Sequence, residues 1–284
     1  MPLPLIDQSG FNRKNRQPIP DGSVLTPGGY RHPSIVHHVS RGHRIRRRKD
    51  QLQVVHRGTQ RIVARHDVAL SGAPIPGLGT GWVTFATWQN AGSAPISQIA
   101  TDWTVPNPPS TGDSSQTIFL FDALQNASRT NLLQPVLQWG TSQAGGGPFW
   151  SISNWYIDPS GHVCHSDSLP VLPGEVLTGI ISLGQEIGGL FSYVVSFAGY
   201  PGLDLSVQGI EELVCAAETL EAYQIGVCAD YPAATSTAMS NIAIAAGGVA
   251  PPLTWSIQNN STTCDEHTIV DSSANPGGQI DIVY

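Results

Sequence analysis

Past Arg65 the chain has one residue of permanent positive charge, Arg129, and past Lys49 it has no lysine at all. Residues 71–284 set that single Arg against 17 Asp and Glu, formally −16, so this part cannot rely on salt bridges. Acid breaks few ion pairs in such a domain and relieves repulsion among its carboxylates, so low pH suits it better than neutral pH. No apolar run reaches the length of a membrane span, and the first ten residues hold only a short apolar patch at 3–6, so neither a membrane partner nor export by the usual signal is expected. There is no Gly-x-Ser-x-Gly elbow, no Walker loop, no dinucleotide glycine fingerprint and no His-Glu-x-x-His. Serine hydrolase, nucleotide enzyme and zincin readings therefore lack support. Cysteine is scarce: Cys164, Cys215, Cys228 and Cys264 allow at most two disulfides. His162, Cys164 and His165, with Cys264 and His267, have the residue types of a zinc site, but His165 points away from its neighbours on a strand. Structural residues, or a Cys164 to Cys264 disulfide, are the better expectation, and no metal is assigned.

The missing cations are all at the front. Residues 1–70 hold thirteen Lys and Arg against four acids, formally +9, with six histidines, His32, His37, His38, His43, His56 and His66. A basic segment attached to an acidic domain can lie over it at neutral pH and let go once the carboxylates protonate, as in an acid-activated precursor. The alternative is a disordered arm that binds nucleic acid, which is the less expected partner. Residues 1–70 show no sustained periodicity beyond β-like stretches at 51–56 and 61–64, so partial order at best is expected there. Residues 71–81 are rich in Pro and Gly and read as a linker. A domain at 82–284 follows.

That domain is rich in Ser, Thr, Val and Ile and broken by Gly and Pro at short intervals, the composition of an all-β protein. Strands are expected at 82–89, 95–105, 116–123, 131–139, 149–156, 162–171, 175–183, 190–198, 203–209, 212–224, 237–245, 252–257, 267–272 and 279–284. About fourteen short strands with almost no helix predict an antiparallel β-sandwich of the jelly-roll, concanavalin-like kind.

The sequence Leu-Leu-Gln-Pro-Val-Leu-Gln-Trp at 132–139 follows Ile-Phe-Leu-Phe-Asp at 118–122 and precedes Asn-Trp-Tyr at 154–156. In the order and spacing of these motifs, residues from about 82 to 245 resemble the glutamic peptidase (eqolisin) family. The family has a hydrophobic strand ending in Asp, a strand carrying the catalytic Gln with a Trp five residues on, a Trp-Tyr strand, and a Glu-bearing strand a little over eighty residues after the Gln. The resemblance puts Gln134 at the catalytic Gln, and Trp139 at the spaced Trp. Trp88 resembles the family's N-terminal Trp. The catalytic Glu falls in Ala-Glu-Thr-Leu-Glu-Ala-Tyr at 217–223, one residue shorter than the family pattern. Glu218 fits the spacing slightly better, and Glu221 fits the following Ala and aromatic residue. Glu221 is preferred, with only one of the two able to meet Gln134, because they face opposite sides of a strand. Two departures stand out: Asn154 replaces the Glu often found before Trp-Tyr, and Val136 replaces a small residue.

The resemblance implies an acid-acting endopeptidase on polypeptide substrates, secreted by family although no signal peptide is visible. A Glu near its ordinary pKa of about 4.3 would take a proton from the attacking water, and Gln134 would donate to the developing oxyanion. Neither role needs a metal or cofactor. Trp88, Trp139, Trp150 and Trp155, with Asp122, would line the substrate cleft, the bland reading of each Trp being core. The rival reading is a non-catalytic, lectin-like jelly roll that stacks sugars on exposed Trp. The two differ in whether Gln134 and one Glu point into a shared groove.

Overall fold

A computed structural model describes residues 18–68, 81–111 and 115–284. Most of the linker expected at 71–81 lies outside them. In chain order the strands are β1 (Val24–Thr26), β2 (Gly29–Arg31), β3 (Val36–His38), β4 (His43–Arg47), β5 (Gln51–His56), β6 (Ile62–Asp67), β7 (Trp82–Gln89), β8 (Ile96–Thr104), β9 (Thr117–Asn126), β10 (Leu132–Ser142) and β11 (Gly145–Ile157). They continue as β12 (Val163–His165), β13 (Leu169–Pro170), β14 (Val176–Ile187), β15 (Leu190–Phe197), β16 (Leu205–Ile210), β17 (Leu213–Tyr223), β18 (Ser236–Ala246), β19 (Ser256–Asn259), β20 (His267–Ser272) and β21 (Gly278–Val283). The protein is all-β, two large sheets packed as a sandwich.

One sheet runs β19-β7-β17-β9-β10-β11-β12-β3, with β13 added on β11; the other runs β20-β21-β18-β8-β14-β15-β16-β4-β5-β6. Strand alternation explains the layering. On β14, Leu177, Gly179 and Ile181 turn inward while their neighbours are more exposed, so one face meets the other sheet and the other meets solvent. On β9 every residue is buried. A strand covered on both faces reads as a continuous apolar run, and Ile118, Phe119, Leu120 and Phe121 supply it. Ile118, Leu120 and Leu124 belong to the core between the sheets, with Trp103, Ile181 and Tyr193. Phe119, Phe121 and Ala123 belong to a second cluster on the outer face of the first sheet, capped by Leu25 and Val36 of the N-terminal segment.

That segment, for which the sequence predicts partial order at best, forms strands β1 to β6 and joins both sheets. The β1–β2 hairpin lies over the outer face, β3 pairs with β12, and β4 pairs with β16. Both junctions are parallel, whereas the other strand pairs among the described residues are antiparallel. Contact with the acidic domain runs mainly through backbone pairing and buried apolar groups rather than through charge. Ile45, Leu52 and Val54 reach the inter-sheet core. Ion pairs across the junction are Arg47 to Asp158 at 2.6 Å, Arg57 to Asp204, and His38 to Asp167 at 2.6 Å.

The cysteine expectation needs correction. Cys228 and Cys264 form the disulfide, while Cys164 and Cys215 are buried free thiols. Cys164 faces inward from β12 as a free thiol, and Cys264 is bonded to Cys228 instead. Among the described residues no helix is long and apolar enough to cross a membrane.

Candidate active site

β10 carries Gln134 and β17 carries both glutamates, two strands apart with β9 between them. Leu132 and Val136 flank Gln134 on the outer face, so Gln134 points outward too. On β17, Ala217 and Tyr223 mark the same face, which Thr219 and Glu221 share. Glu218 points the other way, into the sandwich. Of the two glutamates, Glu221 is the one on the face of Gln134.

Sharing a face is not yet contact. Ala217 is opposite Ala123, and the register of β9 with β10 sets Ala123 opposite Gln134. The residue in line with Gln134 is therefore Ala217, whereas Glu221 is in line with Phe119 and Gln138. Four residues along and two strands across separate the Cα atoms by roughly 16 Å. Thr219, Phe121 and Val136 occupy the row between. Gln134 is fully buried and neither amide atom has a hydrogen-bond partner. An unpartnered buried amide is uncommon and marks a place where a polar ligand group would be stabilised.

Glu221 is equally buried but occupied. The backbone N–H of Gly28 donates to its Oε1 at 2.7 Å, and the Tyr223 hydroxyl donates to the same oxygen, leaving Oε2 without a partner. Burial pushes the carboxyl up to about 7, against Tyr223, Gly28 and Arg31, which favour its charged form. The plug is the β1–β2 hairpin. Pro27, Gly28 and Gly29 turn it, with φ of 87° and 113° at the two glycines, values open to glycine and strained for other residues. Thr26 closes the turn through its hydroxyl to Gly29 O, Leu25 O accepts from Gln143 N, and Tyr30 packs edge-on against Tyr223. Gly28, Tyr30 and Arg31 were not singled out by sequence reasoning. The Pro-Gly-Gly turn was readable, but nothing in the sequence ties it to a residue 193 positions away.

Glu218 sits directly opposite Asp122 on the inner face, where Thr101 donates to its Oε1 at 2.8 Å. Both carboxyls are driven well above their ordinary values, Asp122 by burial and Glu218 by burial and then by the Asp122 charge. Asp122 thus belongs with Glu218 inside the sandwich, away from Gln134. Trp88, Trp139 and Trp150 are also inter-sheet core, so they do not line the Gln134 face. Trp155 does share it, buried beside His165 with its indole N–H donated to Ser153. Asn154, where the family often has Glu, points inward and donates to Leu203 O at 2.8 Å.

No family model matches the chain, and no curated protein matches it in sequence. Its fold is similar to that of Scytalido-glutamic peptidase, solved with a peptide based transition state analog. The match has 12% identity, covers 72% of this chain and 98% of that chain, and has a TM-score of 0.48. The structural relationship is distant. SCP-B, a member of the Eqolisin family of peptidases solved with the tripeptide Ala-Ile-His, matches over the same shares at 12% identity and a TM-score of 0.43. A toad ovary galectin with thio-digalactose matches 51% of this chain and 94% of that chain at 12% identity and a TM-score of 0.29. At these levels the likeness concerns the fold and assigns no chemistry.

Proposed function

We propose that this chain is a latent peptide-bond hydrolase whose outer sheet face binds an extended polypeptide, with Glu221 as its proton-transfer group. The observation that carries the reading is the Gly28 N–H on Glu221: the face already holds a stretch of polypeptide through a backbone amide, and that polypeptide is the chain's own N-terminal hairpin. A substrate strand taking the hairpin's place would present the same groups. Released from the hairpin, Glu221 returns towards an ordinary carboxylate pKa and is ionised in mildly acid solution, able to take a proton from water and return it to the leaving amine. Gln134, with both amide atoms free, donates to the carbonyl oxygen as charge develops there. Joint action on one peptide bond requires the two side chains to extend towards each other across the row of Thr219, Phe121 and Val136.

The sugar-binding alternative needs an aromatic surface open to solvent. Trp82, Trp88, Trp103, Trp139, Trp150 and Trp155 are all buried and cannot supply it, whereas Trp255 is half-buried and Phe149 is exposed. The test is digestion of an unfolded protein at pH 3 to 4. Glu221→Ala should abolish it, and Gln134→Ala should slow it by about a hundredfold to a thousandfold, the usual loss for one oxyanion donor. Glu218→Ala should keep the rate if it folds. Full activity in both Glu221→Ala and Gln134→Ala removes the assignment.

A further inference from the structure

The hairpin over Glu221 leads through a single 3-10 turn at Pro33–Ile35 into β3, and β3 is held at the sheet edge by imidazoles. His37 on β3 stacks on His66 of β6 with ring centroids 3.6 Å apart, and its Nε2 lies 2.8 Å from Nδ1 of His162. His38, the next residue, packs against His165 of β12 at 5.4 Å, and His165 in turn packs on Trp155. β3 belongs to one sheet and β6 to the other, so the His37–His66 stack closes the open side of the sandwich. A surface crevice of about 350 Å³, lined by His37, His38, His43 and His66, brings water to the cluster.

We propose that His37, His66, His162 and His165 form an acid-released clip that holds β3, and with it the hairpin over Glu221, against the sandwich. The neutral His37–His162 bond needs one ring to donate and the other to accept. When both rings are cationic neither can accept, and two positive rings face each other. The groups around the cluster do not reverse this. His37 faces His66, His162 and His165; His162 also faces Asp158 and the Arg47 paired with it; His165 faces His38, Asp167 and the Ser166 carbonyl. Asp158 and Asp167 favour protonation of their neighbours, but burial outweighs them. It holds His37 down to about 3 and His165 to about 4 from an ordinary 6.5.

The sign of the pH effect follows. A histidine of lowered pKa stabilises the closed form above about 6.5 and loses that contribution as pH falls towards the clipped value. Glu221 runs the other way. With a carboxyl raised to about 7 from 4.5, closure is opposed at neutral pH and this opposition fades as pH falls to 4.5. Between about pH 6.5 and 4.5 His37 and His165 together lose more than the single Glu221 recovers, so closure weakens on balance, and below 4.5 only the histidines continue to change. Opening should therefore begin below about pH 6.5 and grow as pH falls towards 3.

The clip concerns closure and stands whether or not Glu221 hydrolyses peptide, so its test avoids activity. Pulsed hydrogen exchange on the full chain, corrected for intrinsic rate at each pH, should show the amides of Val39 and Gly28 losing protection at least tenfold between pH 5.5 and 3.5. Those of β14 and β15 should stay protected. The double variant His37→Gln, His66→Gln should keep Val39 protected to lower pH. Loss at the same pH in the variant, or no loss in the wild type, overturns the clip. If the variant does not fold, ring titration of the wild type by NMR decides. Clipped imidazoles that titrate below about 4.5 together with amide opening support it, and rings that titrate near 6.5 with no opening overturn it.

Discussion

Asp122 and Glu218 face each other from adjacent strands with no cation beside them, and burial, joined at Glu218 by the Asp122 charge, keeps them protonated above their ordinary range. The folded state thus binds protons that an unfolded chain would release. This stability is complete below the ordinary carboxylate pKa and is lost as pH rises through the raised values. Asp122→Asn removes one ionisable group and places an amide donor beside the unpartnered Glu218 Oε2. It should raise the melting temperature at pH 7 and change it little at pH 4, as thermal unfolding at the two pH values would reveal. Gly179 crowds the same spot. A Cβ there would run into Asp122 Oδ1 and come within 2.7 Å of the Trp103 ring. Gly179→Ala should cost about 1–3 kcal/mol as overpacking. An unchanged denaturant midpoint would mean that the pocket has room to give. At this scale the division of Glu218 from Glu221 was legible, because side chains alternate along a strand. Their partners were not, since Gly28 and Thr101 reach these residues only through the assembled sheets.

Strands were the most legible elements, because alternation and turn residues are local properties. The expected runs at 82–89 and 267–272 coincide with β7 and β20, and the run at 212–224 frames β17. The run at 162–171 divides into β12 and β13, separated by residues 166–168. In the N-terminal segment the β-like stretches at 51–56 and 61–64 meet β5 and β6, whereas β1 to β4 were not legible, β4 for a physical reason. β4 reads His-Arg-Ile-Arg-Arg, with Ile45 alone fully buried, so its stability comes from backbone pairing to β16 and β5 rather than from an apolar face. The disulfide was also beyond sequence pattern, since four cysteines allow three connectivities and geometry chooses among them. Cys228–Cys264 closes a loop over a separation of 36 residues, next to buried Asp230 and Glu266. Chain-entropy reasoning gives it about 4 kcal/mol of stabilisation. Reduction should lower the urea midpoint accordingly, and Cys164→Ala and Cys215→Ala should not mimic the reduced protein's loss of loop closure.

At the scale of the molecule, the charge split suggested one basic arm over one acidic body, yet the strands divide that arm near residue 39. Residues 24–36 cover the outer face, and β4 to β6 extend the second sheet. The two parts should behave differently. At pH 7, salt near 0.5 M screens partly exposed ion pairs such as Arg57 with Asp204, but it leaves backbone pairing and buried contacts untouched, so the arm should stay protected from proteolysis. A chain beginning at Ser40 keeps β4 to β6 and loses the hairpin and β3. It should unfold cooperatively and, under the proposed function, digest substrate without an acid-dependent lag. A chain beginning at Gly81 also loses Ile45, Leu52 and Val54 from the core. Each such side chain contributes about 1.5–3 kcal/mol when fully buried, a sum comparable to the whole stability of an ordinary domain. That chain should aggregate or unfold without cooperativity. Equal unfolding midpoints for the two shortened chains would show instead that β4 to β6 are dispensable and that the arm acts as one removable unit.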